Sequence, residues 1–230
     1  MNKVFEEIKG QLIVSCQALS DEPLHSSFIM GRMAIAAKVG GAKGIRAQSV
    51  DDINEIMQNV DLPVIGIIKR NYEDSEIYIT PTKKEINELL TTNCQIIALD
   101  ATNRKRPNNE KIEDLVKLIH DNGRLAMADC STFDEVIEAE KLGFDCVSTT
   151  LCGYTSYSDN YDGPNIELIK KLVKECNVPV IAEGKINTPE DLHEVLESGA
   201  FCAVVGGAIT RPQNITARFV NVIKDEARVS

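Results

Sequence analysis

The feature that most constrains this fold is a repeated alternation of short apolar runs with helical segments. Eight apolar runs read as strands, and a segment with helical spacing of its apolar residues follows each one. The runs end 21 to 33 residues apart, at Gln17, Arg46, Lys69, Asp100, Asp129, Thr150, Glu183 and Gly206. Parallel strands joined by right-handed helical crossovers produce this rhythm. We therefore predict an α/β fold, a single-domain (β/α)8 TIM barrel over residues 1–230.

A doubly wound open sheet is the competing architecture. It seldom uses eight consecutive parallel strands, and the glycine fingerprint of dinucleotide-binding sheets is absent from the sequence. At 230 residues and 43% hydrophobic composition, the chain can bury one sizeable core. The closed barrel is therefore the prediction, and no linker divides the chain.

The charge balance restricts the class of partner. A net charge of −10 argues against nucleic acid or an anionic membrane as the main partner, so attraction for an anionic ligand must be local. No signal peptide and no run of about 18 apolar residues is found, which predicts a cytoplasmic protein. The seven cysteines form no CxxC pair and mostly lie in or beside apolar runs, which is typical of small core residues in a reducing compartment.

The stretch Val178–Arg211 holds two strand-then-glycine turns in succession. The first apolar run ends in Glu183-Gly184 and the second in Gly206-Gly207. Free backbone N–H groups after strands 7 and 8 are what a phosphate-binding (β/α)8 barrel uses. We predict a phosphate site at Gly184, Gly206 and Gly207. Lys185 follows the first glycine, and Arg211 follows the second pair by four residues, so both cations are added to the predicted site.

The four odd-numbered strands end in polar residues, namely Gln17, Lys69, Asp129 and Glu183. Two residues earlier the same strands carry Ser15, Ile67, Met127 and Ile181, so a polar mouth would lie over a mostly apolar layer. Strands 3 and 7 lie four apart in a ring of eight and therefore face each other. Lys69 and Glu183 would reach one ligand from opposite sides, which suits epimerisation by proton removal and return.

Further contacts are assigned from position at this mouth. Arg46, at the end of strand 2, would orient a carbonyl or hydroxyl group as a fixed cation. Asp100 and Thr150, which end strands 4 and 6, and Tyr154, in the tyrosine-rich loop 151–165, are assigned as substrate contacts.

Several alternatives remain open on the residues alone. Lys69 could instead form a structural salt bridge with Asp129. An oxygen site for Mg²⁺ could use Asp100, Asp129 and Glu183, but no histidine ends a strand, so we predict no metal. A cysteine nucleophile, Cys130 or Cys152, would lack a neighbouring histidine. His25 could touch a ligand or lie on the surface.

Eight sequence blocks together resemble the N-acetylmannosamine-6-phosphate 2-epimerase family of bacterial sialic acid breakdown. They are GQLIVSCQAL, DEPLHSSFIM, GIRA, LPVIGIIKR, IIALDAT, TTLCGYT, VIAEGKINTPED and VVGGAITRP, and the resemblance covers about residues 10 to 220. The segments IGIIKR, IAEGKI and VVGGAITRP together are specific to this family, whereas a glycine pair after a strand occurs in many other barrels.

The resemblance implies an isomerase that interconverts N-acetylmannosamine 6-phosphate and N-acetylglucosamine 6-phosphate without a metal or other cofactor. It implies that Lys69 and Glu183 transfer the proton at C2, and that Asp129 and Arg46 polarise and orient the opened sugar. It further implies a substrate contact by Gln17, the phosphate site described above, and a homodimer. The competing interpretations are another phosphosugar enzyme on this scaffold, such as a decarboxylase or a ribulose-phosphate 3-epimerase relative, and a phosphate-binding barrel that acts as a small-molecule-sensing regulator.

Overall fold

The computed structural model describes residues 2–226 and shows a closed barrel of eight parallel strands, each paired with its neighbours in chain order and β8 with β1. The strands are β1 Leu12–Cys16, β2 Gly44–Gln48, β3 Val64–Ile67, β4 Ile96–Asp100, β5 Leu125–Asp129, β6 Cys146–Ser148, β7 Val180–Glu183 and β8 Cys202–Val205. The predicted (β/α)8 barrel is confirmed. The predicted bounds 1–230 extend past the described residues at both ends.

Helices alternate with these strands along the chain. They are α1 Lys3–Ile8, α2 Ser27–Val39, α3 Val50–Asn59, α4 Lys83–Leu89, α5 Ile112–Asp121, α6 Phe133–Lys141, α7 Ile166–Glu175, α8 Pro189–Glu197, α9 Gly207–Thr210 and α10 Pro212–Glu226. Helices α4, α6 and α8 begin with capping boxes, at Thr82, Thr132 and Thr188. Each box satisfies backbone N–H groups that a helix start leaves without partners.

Alternation along each strand separates the barrel interior from the layer under the helices. On β3, Ile65 and Ile67 belong to the interior cluster, while Val64 packs in the outer cluster. Gly66 points outward with Val64, and a Cβ there would lie 2.8 Å from the Cys94 sulfur and 3.1 Å from Ile53. Glycine therefore allows α3 and the segment before β4 to pack directly on this strand.

The predicted apolar layer beneath the mouth is confirmed. Ile67, Met127 and Ile181 are fully buried in the interior cluster. Truncation of a side chain at such a position costs about 2–5 kcal/mol, because the rigid strands cannot close the cavity. The barrel centre is thus a packed core, and ligand access is confined to the ends of the strands.

The segment around Lys69 differs from a simple strand end. β3 ends at Ile67, and an antiparallel bridge then pairs Lys69 with Ile79. Residues 71–80 form a small irregular hairpin, with a second bridge between Tyr72 and Ser75.

Two short elements were not predicted, the 3-10 turn Pro107–Asn109 and helix α9. The last helix begins at Pro212, because proline is well suited to the first turn of a helix. All seven cysteines are free thiols, and all but Cys176 are buried. No helix within residues 2–226 is long and apolar enough to cross a membrane.

Candidate active site

A polar cavity of about 470 Å³ opens at the carboxyl ends of the strands. Its lining includes five cationic side chains and one carboxylate, namely Arg46, Lys69, Lys185, Arg211, Arg218 and Glu183. This local excess of positive charge contrasts with the net charge of −10 of the whole chain. A small anionic ligand is therefore attracted to this mouth rather than to the surface in general.

Lys69 is held at the cavity wall by its own backbone. The Arg70 N–H donates to the Tyr78 carbonyl at 2.9 Å, and the Thr80 N–H donates to the Ile68 carbonyl at 2.7 Å, on either side of the Lys69–Ile79 bridge. Within residues 2–226, the Lys69 ammonium makes no hydrogen bond or ion pair, and Asp129 pairs with Arg46 instead of Lys69. The alternative of a Lys69–Asp129 salt bridge is therefore wrong.

The environment of Lys69 favours loss of its proton. Burial lowers the pKa of the ammonium to about 8, and the positive charges of Arg46 and Arg211 act in the same direction. Glu183 opposes this effect. A substantial fraction of neutral amine is thus present just above neutral pH, which an unperturbed lysine would not provide.

Glu183 lies on β7, opposite β3 in the closed ring, and shares Arg46 with Asp129. Arg46 Nη1 donates to Glu183 Oε2 at 2.7 Å and to Asp129 Oδ1 at 3.0 Å, and Nη2 donates to Asp129 Oδ2 at 2.6 Å. Burial raises the pKa of Glu183 to about 7, and the Asp129 charge adds to the rise while Arg46 opposes it. Burial, reinforced by the Asp129 charge, therefore keeps the pKa of Glu183 near neutral pH in spite of its bond to Arg46.

Thr150, two residues past the end of β6, connects the two carboxylates. Its hydroxyl lies 2.7 Å from Asp129 Oδ1 and 3.0 Å from Glu183 Oε2, so it can donate to either oxygen but not to both at once. Thr150 lines the cavity, whereas Asp129 is fully buried and does not. Asp129 thus acts on a cavity ligand only through Arg46 and Thr150.

The glycine residues lie at the other side of the same cavity. Gly184, Gly206 and Gly207 all line it, and Gly184 has a φ of +101°, which favours glycine. The Ile209 and Thr210 N–H groups bond to the Gly206 carbonyl and close the short helix α9. The strand-7 and strand-8 turns therefore meet at one place, as the sequence predicts for adjacent parallel strands.

Arg211 lines this end of the cavity and forms a bidentate pair with Glu22. Lys185 also lines the cavity, but its ammonium donates to the Asn160 side chain and to the Tyr161 carbonyl, at 2.6 Å for the latter. It lies 5.6 Å from the centre of the Tyr154 ring. The Lys185 charge is thus engaged by loop 151–165, and Tyr154 lines the cavity as a half-exposed wall.

The structure places three other sequence candidates, Gln17, Asp100 and His25, as follows. Gln17 lines the cavity, and its Nε2 donates to Ser15 Oγ at 2.7 Å. Asp100 is absent from the cavity lining, because Thr102 and Arg104 hold its buried carboxylate, the latter at 2.6 Å. His25 bonds to the Ala18 carbonyl at 3.0 Å and does not line the cavity.

Neither cysteine proposed as an alternative nucleophile lines the cavity. Burial raises the pKa of both the Cys130 and Cys152 thiols, well above the ordinary range for Cys130, so neither forms a thiolate readily. In the part of the chain that the structure describes, no three His, Cys, Asp or Glu side chains are grouped to hold a metal ion.

Sequence reasoning missed several lining or supporting residues, namely Glu22, Tyr78, Asn187, Asn214 and Arg218. Most of them lie in loops or on the last helix, where no strand periodicity indicates a direction. The acidic pair Asp21-Glu22 at the start of the block DEPLHSSFIM was the only available signal for Glu22, and it does not identify a partner.

Comparisons with known proteins agree over nearly the whole chain. The NanE family model, described as "Putative N-acetylmannosamine-6-phosphate epimerase", matches residues 30–225. Two relatives are named "Putative N-acetylmannosamine-6-phosphate 2-epimerase". The relative from Clostridium perfringens strain SM101 is 68% identical over 96% of this chain and 100% of its own length. The relative from Clostridioides difficile strain 630 is 63% identical over 96% of this chain and 99% of its own length. The solved structure of the N-acetylmannosamine-6-phosphate 2-epimerase from Clostridium perfringens superimposes with a TM-score of 0.95 at 67% identity, covering 96% of each chain. The chain belongs to the N-acetylmannosamine-6-phosphate epimerase family.

Proposed function

We propose that this protein is an isomerase that interconverts N-acetylmannosamine 6-phosphate and N-acetylglucosamine 6-phosphate in the degradation of sialic acid. Family membership and the names of the relatives support this activity. The observation that carries the mechanism is that Lys69, which follows β3, and Glu183, on the facing strand β7, line one cavity with pKa values drawn toward neutrality. Epimerisation needs this pair, because a proton leaves one face of C2 and returns to the other.

The reaction begins from the ring-opened sugar, whose C1 aldehyde acidifies the C2 hydrogen. One of the two groups, Lys69 as amine or Glu183 as carboxylate, removes that hydrogen as a proton. The partner, in its protonated form, delivers a proton to the opposite face of C2 and gives the epimer. Because both pKa values lie near neutrality, moving the proton back between the two groups costs little, and the reaction can run in either direction.

Arg46 is assigned to the developing negative charge on C1 oxygen. It is buried, lines the cavity and is fixed by Asp129 and Glu183, so little reorganisation is needed when the enediolate forms. Asp129 is accordingly a positioning residue in this mechanism, and Thr150 assists it. All steps use side chains of the protein, so the proposed mechanism needs no cofactor.

The phosphate is assigned to the glycine end of the cavity. The turns at Gly184 and at Gly206-Gly207 would donate backbone N–H groups, and Arg211 would add a guanidinium. Lys185 contributes at longer range, because its ammonium is bonded to loop 151–165. Gln17 and Tyr154 would contact the sugar between the phosphate and the reacting carbon.

The proposal includes a cytoplasmic homodimer. Its support is the family resemblance together with three large apolar side chains exposed on α10, namely Phe219, Val222 and Ile223, which are 74%, 58% and 68% exposed. A second copy that covers them would remove apolar area from water. Light scattering after size-exclusion chromatography tests this part, and a monomer mass at micromolar concentration would contradict it.

The activity is tested with N-acetylmannosamine 6-phosphate in D₂O. We expect deuterium at C2 of the N-acetylglucosamine 6-phosphate formed, observed by proton NMR. Lys69→Ala and Glu183→Gln should each lower turnover by several orders of magnitude, while Lys117→Ala, an exposed control on α5, should match the wild type. Product that carries only hydrogen at C2 from the first turnover would reject solvent exchange, and near-normal turnover in either site variant would remove that residue from the mechanism.

A further inference from the structure

The loop between β1 and α2 has a defined shape built around Glu22. The Glu22 N–H donates to the Leu19 carbonyl at 2.9 Å, and the Leu19 N–H donates back to Glu22 Oε2 at 2.8 Å. The His25 N–H donates to the Glu22 carbonyl at 3.1 Å. These bonds fix where the loop presents its carboxylate.

That carboxylate engages one edge of the Arg211 guanidinium. Arg211 Nε donates to Glu22 Oε1 at 2.5 Å, and Nη2 donates to Oε2 at 3.1 Å. The side chains are only 16% and 26% exposed, for Glu22 and Arg211 respectively. Hydrogen bonding from Arg211 lowers the pKa of Glu22, so the pair is ionised at neutral pH. Such side-on bidentate pairs define the plane of the guanidinium as well as its position.

The other edge of Arg211 faces the glycine turn. Nη1 lies 3.6 Å from where a Cβ would stand on Gly207, and it donates no hydrogen bond to any residue between 2 and 226. Both Arg211 and Gly207 line the cavity. The edge left free by Glu22 is thus the edge directed at the place assigned to phosphate.

We propose that Glu22 is a positioning residue that holds Arg211 in the orientation required to bind the phosphate of the substrate. The inference rests on the proposed function for the identity of the ligand. An arginine that is already immobilised loses less side-chain entropy on binding than a free one. The carboxylate therefore aids binding of an anion, although its own charge would by itself repel that anion.

Kinetics of two substitutions distinguish orientation from charge. If Glu22 orients Arg211, Glu22→Ala raises the KM for N-acetylmannosamine 6-phosphate about three- to tenfold and leaves kcat within about twofold. Glu22→Gln, which keeps one acceptor oxygen, falls between the wild type and the alanine variant. Glu167→Ala, which removes an exposed glutamate paired with Lys170, is the matched control and leaves KM unchanged. A lower KM in both Glu22 variants would show that the residue acts as a competing anion and would overturn the proposal.

A double-mutant cycle separates action through Arg211 from folding of the loop. Binding of inorganic phosphate is measured by calorimetry in the wild type, Glu22→Ala, Arg211→Ala and the double variant. We expect Glu22→Ala to weaken phosphate binding about three- to tenfold with Arg211 present, and to leave binding unchanged or tighter without Arg211, because only the repelling charge is then lost. An equal loss in both backgrounds would refute positioning of Arg211. This binding assay does not need turnover, so an inactive wild type would reject the proposed function without deciding the role of Glu22.

Discussion

Asp129→Asn is the most informative substitution, because Asp129 controls the site without lining the cavity. The carboxylate is fully buried and accepts both Nη groups of Arg46 and the Thr150 hydroxyl. Asparagine has nearly the same shape, but one of its two acceptor oxygens is replaced by an NH₂ donor. At least one donor of Arg46 or Thr150 therefore loses its partner, and one negative charge leaves the buried cluster.

The cost in stability follows from that loss. Removal of one partner of a buried ion pair destabilises a protein by about 3–5 kcal/mol. Glu183 still neutralises Arg46 at 2.7 Å, which places the expected loss near the lower end, at about 3 kcal/mol. For a chain of this length the melting temperature should fall by roughly 6–12 °C.

The same substitution changes the pKa of Glu183 in a known direction. In the wild type the Asp129 charge helps to raise that pKa, and Arg46 lowers it. Without the Asp129 charge, Arg46 interacts with Glu183 alone, so the pKa of Glu183 falls. The acid limb of kcat/KM should move to lower pH by the same amount.

Asp100→Asn is the matched control. Asp100 is the register partner of Asp129, is equally buried and also pairs with an arginine, Arg104. The Asp100→Asn substitution should lower the melting temperature without moving the acid limb of kcat/KM. The measurements are kcat/KM between pH 5 and 9 and the melting temperature by calorimetry. The substrate phosphate also ionises in this pH range, but it does so equally for all variants and therefore cancels when their pH profiles are compared. An acid limb that does not move in Asp129→Asn, or moves equally in Asp100→Asn, would refute the reasoning.

Three further predictions concern the same cavity. The pH profile of the wild-type kcat/KM should be bell-shaped for both the forward and the reverse reaction, with limbs near pH 7 and pH 8, because the Lys69–Glu183 pair must carry one proton in each case. A kcat/KM that is constant from pH 6 to 9 would contradict this. The folded protein holds the Glu183 proton more tightly than the unfolded chain does, so Glu183 makes the free energy of unfolding fall as the pH rises from about 4.5 to about 7. Denaturant titrations of Glu183→Gln should show a weaker fall over this range, and identical pH slopes would argue against the raised pKa. Lys185→Ala should accelerate proteolytic cleavage in loop 151–165, because it removes the bonds to Asn160 and Tyr161, whereas unchanged cleavage would show that these bonds do not hold the loop.

The fold and much of the candidate site could be predicted because their signals are local. Strand ends and helix caps depend on neighbours within a few residues, as at Thr132 and Glu135, whose capping box forms as the sequence indicates. Ring closure then places the ends of β3 and β7 opposite each other, so the position of Lys69 relative to Glu183 followed from counting strands. Asp100 could not be placed in this way. Its position at the end of a strand does not indicate that Arg104 binds the Asp100 carboxylate and that Asp100 is absent from the cavity lining.

The sequence by itself determined the order of strands and helices, the polar mouth above an apolar core, and the glycine turns after β7 and β8. Only the tertiary structure decided which charges share partners: Arg46 with both Asp129 and Glu183, and Arg211 with Glu22 across 189 residues. The physical reason is that backbone periodicity is a short-range property. A charged side chain instead pairs with groups that the closed barrel brings within hydrogen-bonding distance, however far apart they are in the chain. Because charges interact more strongly when they are buried, these partners determine the pKa of the side chain.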